Sequence, residues 1–315
     1  MLKLADHWVW DSWYATDDHG RHHVFFLRAS RALHDPERRH HRAAVGHAVS
    51  DDLREWTLLP DALVHADAPA WDDQAVWTGS VVRGDDGRWR MFYTGVSHAE
   101  GGRVQRIGSA VSDDLTVWRR LPGPQVEADG RHYERYRPGS DWHQEACRDP
   151  WVYRDAGDGD WHMLFTARVE GPQPARERGV IGHARSADLE SWEVLAPLSR
   201  PDAHGFGHLE VPQLHRVDGQ RLLLFCCDRD SAADARRSPG PAGENYTVAV
   251  DDPLAGIDVA AARPFAHESL YAARLHDVDG RPQLIGFRNI EDGAFAGCLA
   301  DPIPVRWDGT GLVRA

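Results

Sequence analysis

Lysine is almost missing from this chain. Lys3 is the only one, and arginine supplies the rest of the 36 basic residues, set against 49 acids. The formal charge of −13 argues against a nucleic-acid backbone or an anionic membrane as partner. Cysteine is scarce too. Cys147, Cys226, Cys227 and Cys298 show neither a CxxC pair nor a framework spacing, so neither zinc nor structural disulfides are expected. No apolar run approaches the ~20 residues of a membrane-spanning helix. The N-terminus lacks a charged start followed by an apolar stretch, which points to a soluble, cytoplasmic protein. No amphipathic helical pattern and no low-complexity linker stands out. The pairs His22-His23 and His40-His41 are read as polar loop residues, not as metal ligands. No metal and no cofactor are expected.

What the chain has is repetition. "VGHAVSDDLREW" (45–56), "IGSAVSDDLTVW" (107–118) and "IGHARSADLESW" (181–192) are close copies. Each begins with strand-like alternation, passes through a polar turn ending in Asp-Leu, and closes on Trp. A second repeat pairs a turn glycine with a following hydrophobic run, the signal of a hairpin. It recurs five times, at Gly20, Gly87, Gly159, Gly219 and Gly280. Several short strands per unit at this period predict an all-β fold, a single five-bladed β-propeller with about four antiparallel strands per blade. One catalytic domain over residues 1–315 is expected, without a C-terminal β-sandwich. Residues 122–145 and 228–244 are rich in Pro, Gly and charge, and read as loops near the blade rims.

Just upstream of each turn lies the strand expected to line the channel: 9–15, 76–83, 147–154, 209–217 and 269–278. Asp11, Asp149 and Glu210 stand nine or ten residues before their turn glycines, which predicts equivalent places in three blades. Trp10, Trp13, Trp77 and Trp142 would flank them. Unpaired acids in an apolar funnel are costly, and repulsion drives their pKa values apart. One ionised and one protonated carboxyl is what glycoside hydrolysis needs.

These residues carry a resemblance. Trp10-Asp11-Ser12-Trp13 resembles the nucleophile motif of the levansucrases. Arg148-Asp149-Pro150 matches the Arg-Asp-Pro motif of glycoside hydrolase families 32 and 68, the β-fructosidases and fructosyltransferases. Glu210-Val211-Pro212 stands where those families carry the acid/base. Trp77-Thr78-Gly79-Ser80 resembles their Phe/Trp-Ser-Gly-Ser. Gly46-His47, Ser50-Asp51-Asp52-Leu53 and Trp56 resemble an invertase pattern, and Tyr271-Ala272 a last-blade one. The resemblance implies that Asp11 is the nucleophile, Glu210 the acid/base and Asp149 the support of the transition state. It implies that Arg148 holds Asp149 ionised, and that Trp10, Trp77, Ser80, Arg148 and Tyr271 contact the sugar. A fructoside or oligosaccharide is the expected substrate, with hydrolysis or fructosyl transfer as the reaction.

The chain departs from the invertases at Val45, where they place Trp, and at residues 27–29, where they place a glutamine. Two other readings stand beside the first. One is an inverting five-bladed hydrolase of arabino- or xylo-oligosaccharides. The other is a sugar-binding propeller without turnover, which would need no nucleophile and acid pair.

Overall fold

In the computed structural model, residues 1–201, 204–237, 243–265 and 270–315 are described. They form five antiparallel sheets. Blade one runs His7–Thr16, His22–Ser30, Ala44–Ser50, Thr57–Leu63. Blade two runs Ala75–Arg83, Trp89–Val96, Arg106–Ser112, Arg119–Arg120. Blade three runs Cys147–Arg154, Trp161–Arg168, Gly179–Ser186, Glu193–Leu195. Blade four runs Glu210–Val217, Gln220–Cys227, Glu244–Ala249, Arg263–Phe265. Blade five runs Leu270–Val278, Arg281–Glu291, Ile303–Trp307, Leu312–Arg314, and adds Ala294–Leu299 against its second strand.

The first strand of each blade is the inner one. It packs against the inner strands of the blades before and after, and blade one meets blade five, closing the ring. Leu2 strengthens that closure by exchanging both backbone hydrogen bonds with Leu299 (3.2 and 2.9 Å). This is the expected five-bladed propeller. Residue 269 and residues 238–242 of the 228–244 insertion lie outside the described residues.

The two sequence repeats become two kinds of turn. The five hairpin glycines all have φ between 72° and 85°, where a side chain would be strained. In the other repeat, Asp52, Asp114 and Asp188 each accept two backbone N–H groups from the residues two and three ahead. That bonding holds Leu53, Leu115 and Leu189 at φ of 60° to 65° and drops their side chains into the core. The motif is therefore a corner that folds the third strand of blades one to three toward the fourth.

The histidine reading needs correction. His22 and His23 lie in a strand and are buried, not in a loop. His23 Nδ1 meets His47 Nε2 at 2.9 Å, and His22 Nδ1 meets His276 Nε2 at 3.0 Å. His40 and His41 belong to a 3-10 segment, Pro36–Arg42, inserted between strands two and three of blade one. The four cysteines are buried and free.

Candidate active site

Every inner strand carries one extra residue opposite its neighbour, a β-bulge, at the same level of the channel. The bulge residues are Asp11, Thr78, Asp149, Val211 and Ala272. Asp11 (φ 21°), Asp149 (58°), Val211 (53°) and Ala272 (46°) hold positive φ, a conformation that non-glycine residues reach only when neighbours enforce it. The residues just before the bulges pair in one register and form a second ring: Trp10, Trp77, Arg148, Glu210 and Tyr271. Glu210 thus sits level with Arg148, not with Asp11 and Asp149 as their offsets from the glycines suggested. The offsets misled because hairpin lengths differ. Blade four closes on two residues, 218–219, where blade one uses five, 17–21.

The two rings hydrogen-bond around the channel. Thr78 Oγ1 donates to Asp11 Oδ2. Asp149 Oδ2 accepts from Thr166 Oγ1 (2.8 Å) and from the Val211 N–H (3.2 Å). Arg148 Nη2 donates to Glu210 Oε1 at 2.6 Å, while its Nε stands 3.4 Å from Asp149 Oδ2. Tyr271 donates its hydroxyl to Glu210 Oε2 at 2.6 Å. Arg148 therefore serves Glu210 more closely than the Asp149 it was expected to hold.

These groups line a cavity of about 1520 Å³ that is open to solvent. Asp11, Asp149, Glu210, Trp10, Trp77, Trp142, Arg148 and Tyr271 all reach it. Two expected residues do not. Ser80 is buried and accepts the Val152 N–H, strapping blade two to blade three. Thr78, two positions earlier, is the polar residue of that motif that meets the cavity. Trp13 turns away from the funnel and stacks on Phe25 in the core (ring centroids 6.3 Å apart). The loops read as rim insertions bend over the mouth instead, bringing Asp141–Gln144 and Asp228–Ser231 to its wall. The Pro36–Arg42 segment does the same, adding Arg39 and His40. The His40 carbonyl accepts from Trp77 Nε1 at 2.6 Å and fixes that ring.

Burial pushes Asp11 up to about 6, with help from the Asp149 charge; the Thr78 hydrogen bond, Arg274 and Arg39 oppose it. Burial also pushes Glu210 up to about 7. Arg148 pulls it down, Asp228 and Asp149 push it up, and burial prevails. Asp228 was missed in the sequence because it sits on an insertion outside every repeat. It is held by the N–H groups of Asp230 and Ser231 (2.8 and 2.9 Å). His208, Glu210 and Asp228 bring donor atoms within 4.8 Å of one another, a grouping that could suit a cation. The Arg148 guanidinium already stands there, 3.0 Å from His208 Nδ1 and 2.6 Å from Glu210 Oε1.

The chain was compared with known proteins. It is 26% identical over 309 residues to an extracellular sucrase of Zymomonas mobilis, covering 84% of this chain and 73% of that protein. It is 30% identical over 218 residues to a sucrose-6-phosphate hydrolase of Bacillus subtilis, covering 65% of this chain but 38% of that protein. Among solved structures, an inulosucrase from Halalkalicoccus jeotgali bound to kestose superposes with a TM-score of 0.77 at 22% identity, covering 100% of this chain and 90% of that one. A levansucrase from Gluconacetobacter diazotrophicus gives 0.76 at 17%, covering 100% and 82%. The sucrase's name, extracellular, runs against the cytoplasmic location expected from the N-terminus. The sequence model of the glycosyl hydrolases family 32 N-terminal domain matches residues 5–251, most of the chain, and to that family of glycoside hydrolases the protein belongs.

Proposed function

We propose that the five blades form a retaining hydrolase or transglycosidase of fructofuranosides, with Asp11 as nucleophile and Glu210 as acid/base. The observation that carries this reading is that one cavity holds two buried carboxyls with different partners: Asp11 accepts from Thr78, while Glu210 accepts from Arg148 and Tyr271, and burial pushes both up, Asp11 to about 6 and Glu210 to about 7. At pH between the two, Asp11 is ionised and Glu210 keeps its proton. The names of the relatives, sucrase, sucrose-6-phosphate hydrolase and inulosucrase, support a fructosyl donor.

In this reading Asp11 Oδ attacks the anomeric carbon while Glu210 gives its proton to the departing oxygen. The leaving group departs as an alcohol and a fructosyl ester remains on Asp11. Glu210, now ionised, takes a proton from water or from an acceptor hydroxyl, which displaces Asp11 with a second inversion. Asp149 accepts sugar hydroxyls and steadies the oxocarbenium-like transition state. Trp10, Trp77, Arg148 and Tyr271 shape the donor pocket.

The test is to incubate the chain with sucrose, inulin, levan and an aryl arabinofuranoside and to read the first product by NMR. Release of fructose, or of a fructosylated acceptor, with retained configuration is expected. Inverted product, or turnover of the arabinofuranoside alone, would move the assignment to the inverting hydrolases.

A further inference from the structure

Behind the two rings lies a third register layer: Trp13, Ser80, Trp151, Gln213 and Arg274. Arg274 is 1% exposed. Its guanidinium crosses the channel from blade five. Nη1 donates to the Pro212 carbonyl of blade four (2.9 Å), and Nη2 to the Gly79 carbonyl of blade two (3.3 Å). Its Cζ lies 5.2 Å from the Trp151 ring centroid of blade three. Nε has no acceptor among the described residues. A buried guanidinium with an unused donor is costly, and a blade staple alone would not require a charge. The charges that act on Arg274 most strongly are Asp149 and then Asp11, the bulge residues of the ring that adjoins this layer. Burial lowers Arg274 only to about 10, so it is cationic throughout the range in which Asp11 titrates.

We infer that Arg274 is a positioning residue, a fixed cation laid across the channel behind Asp11 and Asp149 that keeps Asp11 ionised while Glu210 holds its proton. This rests on the reading of Asp11 as nucleophile. With Arg148 and Arg274 opposite Asp11 and Asp149, the inner site has no net charge when Glu210 is protonated. The reactive protonation state is then also the neutral one, the state cheapest to bury. The other titratable or charged groups around Asp11 are Arg39 and His40 from the blade-one insertion, Asp149 and Arg148 from blade three, Glu210 and Cys226 from blade four, and Tyr271 from blade five. Arg39 lines the cavity and is shared with Glu37 (3.0 Å), whereas Arg274 lies outside the cavity wall, in the layer behind the two rings.

The test measures kcat/KM against pH for the full chain, R274Q and R274K on sucrose. The acid limb, set by Asp11, should move up by about 1 unit or more in R274Q and return to within about 0.3 unit of wild type in R274K. A mere staple would lower kcat in both variants and leave the limb in place, which overturns the inference. Carboxyl 13C NMR of the aspartate-labelled chain, with D11N to identify the resonance, reads the same midpoint without substrate. If no fructoside is turned over, the proposed function fails, but the Asp11 resonance must still titrate higher in R274Q. An unmoved resonance overturns the inference by itself. If R274Q does not fold, the arginine-labelled wild-type chain decides. The Arg274 guanidinium nitrogens should respond with the Asp11 midpoint and cease to do so in D11N; no response overturns the inference.

Discussion

Arg148, on blade three, reaches across to blade four and donates to Glu210 at 2.6 Å, yet burial still pushes Glu210 up to about 7. The reason is that a charge-assisted bond offsets only part of the cost of burying a carboxylate, and Asp228 adds repulsion.

A bell-shaped pH profile follows. Below about 6 Asp11 gains a proton and cannot attack; above about 7 Glu210 loses the proton that the leaving oxygen needs. We expect kcat/KM to peak between these values. Asp228→Asn removes a negative neighbour of Glu210, so its pKa falls and the basic limb should move to lower pH. A basic limb unmoved in D228N would show that Asp228 does not act on the acid.

Asp11→Asn keeps the size of the side chain but cannot form an ester. We expect turnover to fall by ~10⁴-fold or more, the range seen when a covalent nucleophile or its partner is removed. Circular dichroism and sugar binding should stay near wild type. Near-normal turnover in this variant would exclude Asp11 as nucleophile.

Glu210→Ala should discriminate among leaving groups. Sucrose needs a proton on its departing oxygen, and an activated aryl group hardly does. The loss with sucrose should exceed the loss with an aryl fructofuranoside by about 100-fold or more, within the range assigned to general acid catalysis. Equal losses on both substrates would remove Glu210 from the acid role.

The same carboxyls should cost stability. Both have folded-state pKa values raised above their ordinary ones, so their contribution is full at low pH and is lost as pH rises through about 6 and about 7. At pH 8 both are ionised in a buried place, at a cost on the order of 1–3 kcal/mol each. Asp11→Asn and Glu210→Gln should therefore raise Tm at pH 8 by about 2–5 °C each and change it little at pH 4. Calorimetry at the two pH values checks this. A lower Tm at pH 8 would mean that the carboxylates are stabilised where they stand.

Much of the fold was legible because its signals are local. A hairpin glycine at left-handed φ and a Ser-x-Asp-Leu corner are each dictated within a few residues, and their five- and threefold recurrence counted the blades. The acids were legible as well, since Asp11, Asp149 and Glu210 fall on inner strands. Their register was not. A bulge inserts one residue, at positive φ in four of the five inner strands, and shifts the alternation of side chains, and no period of two in the sequence reveals where it falls. That is why Thr78 meets the cavity and Ser80 does not, why Trp13 packs in the core, and why Glu210 stands level with Arg148. Asp228 meets Glu210 within blade four, where Glu210 pairs with Cys226 two residues before it, whereas Arg274 became part of the site only through closure of the ring. The partners of Arg274 lie on other blades, up to 195 residues away at Gly79, and only the tertiary structure brings such distant groups into one low-dielectric channel.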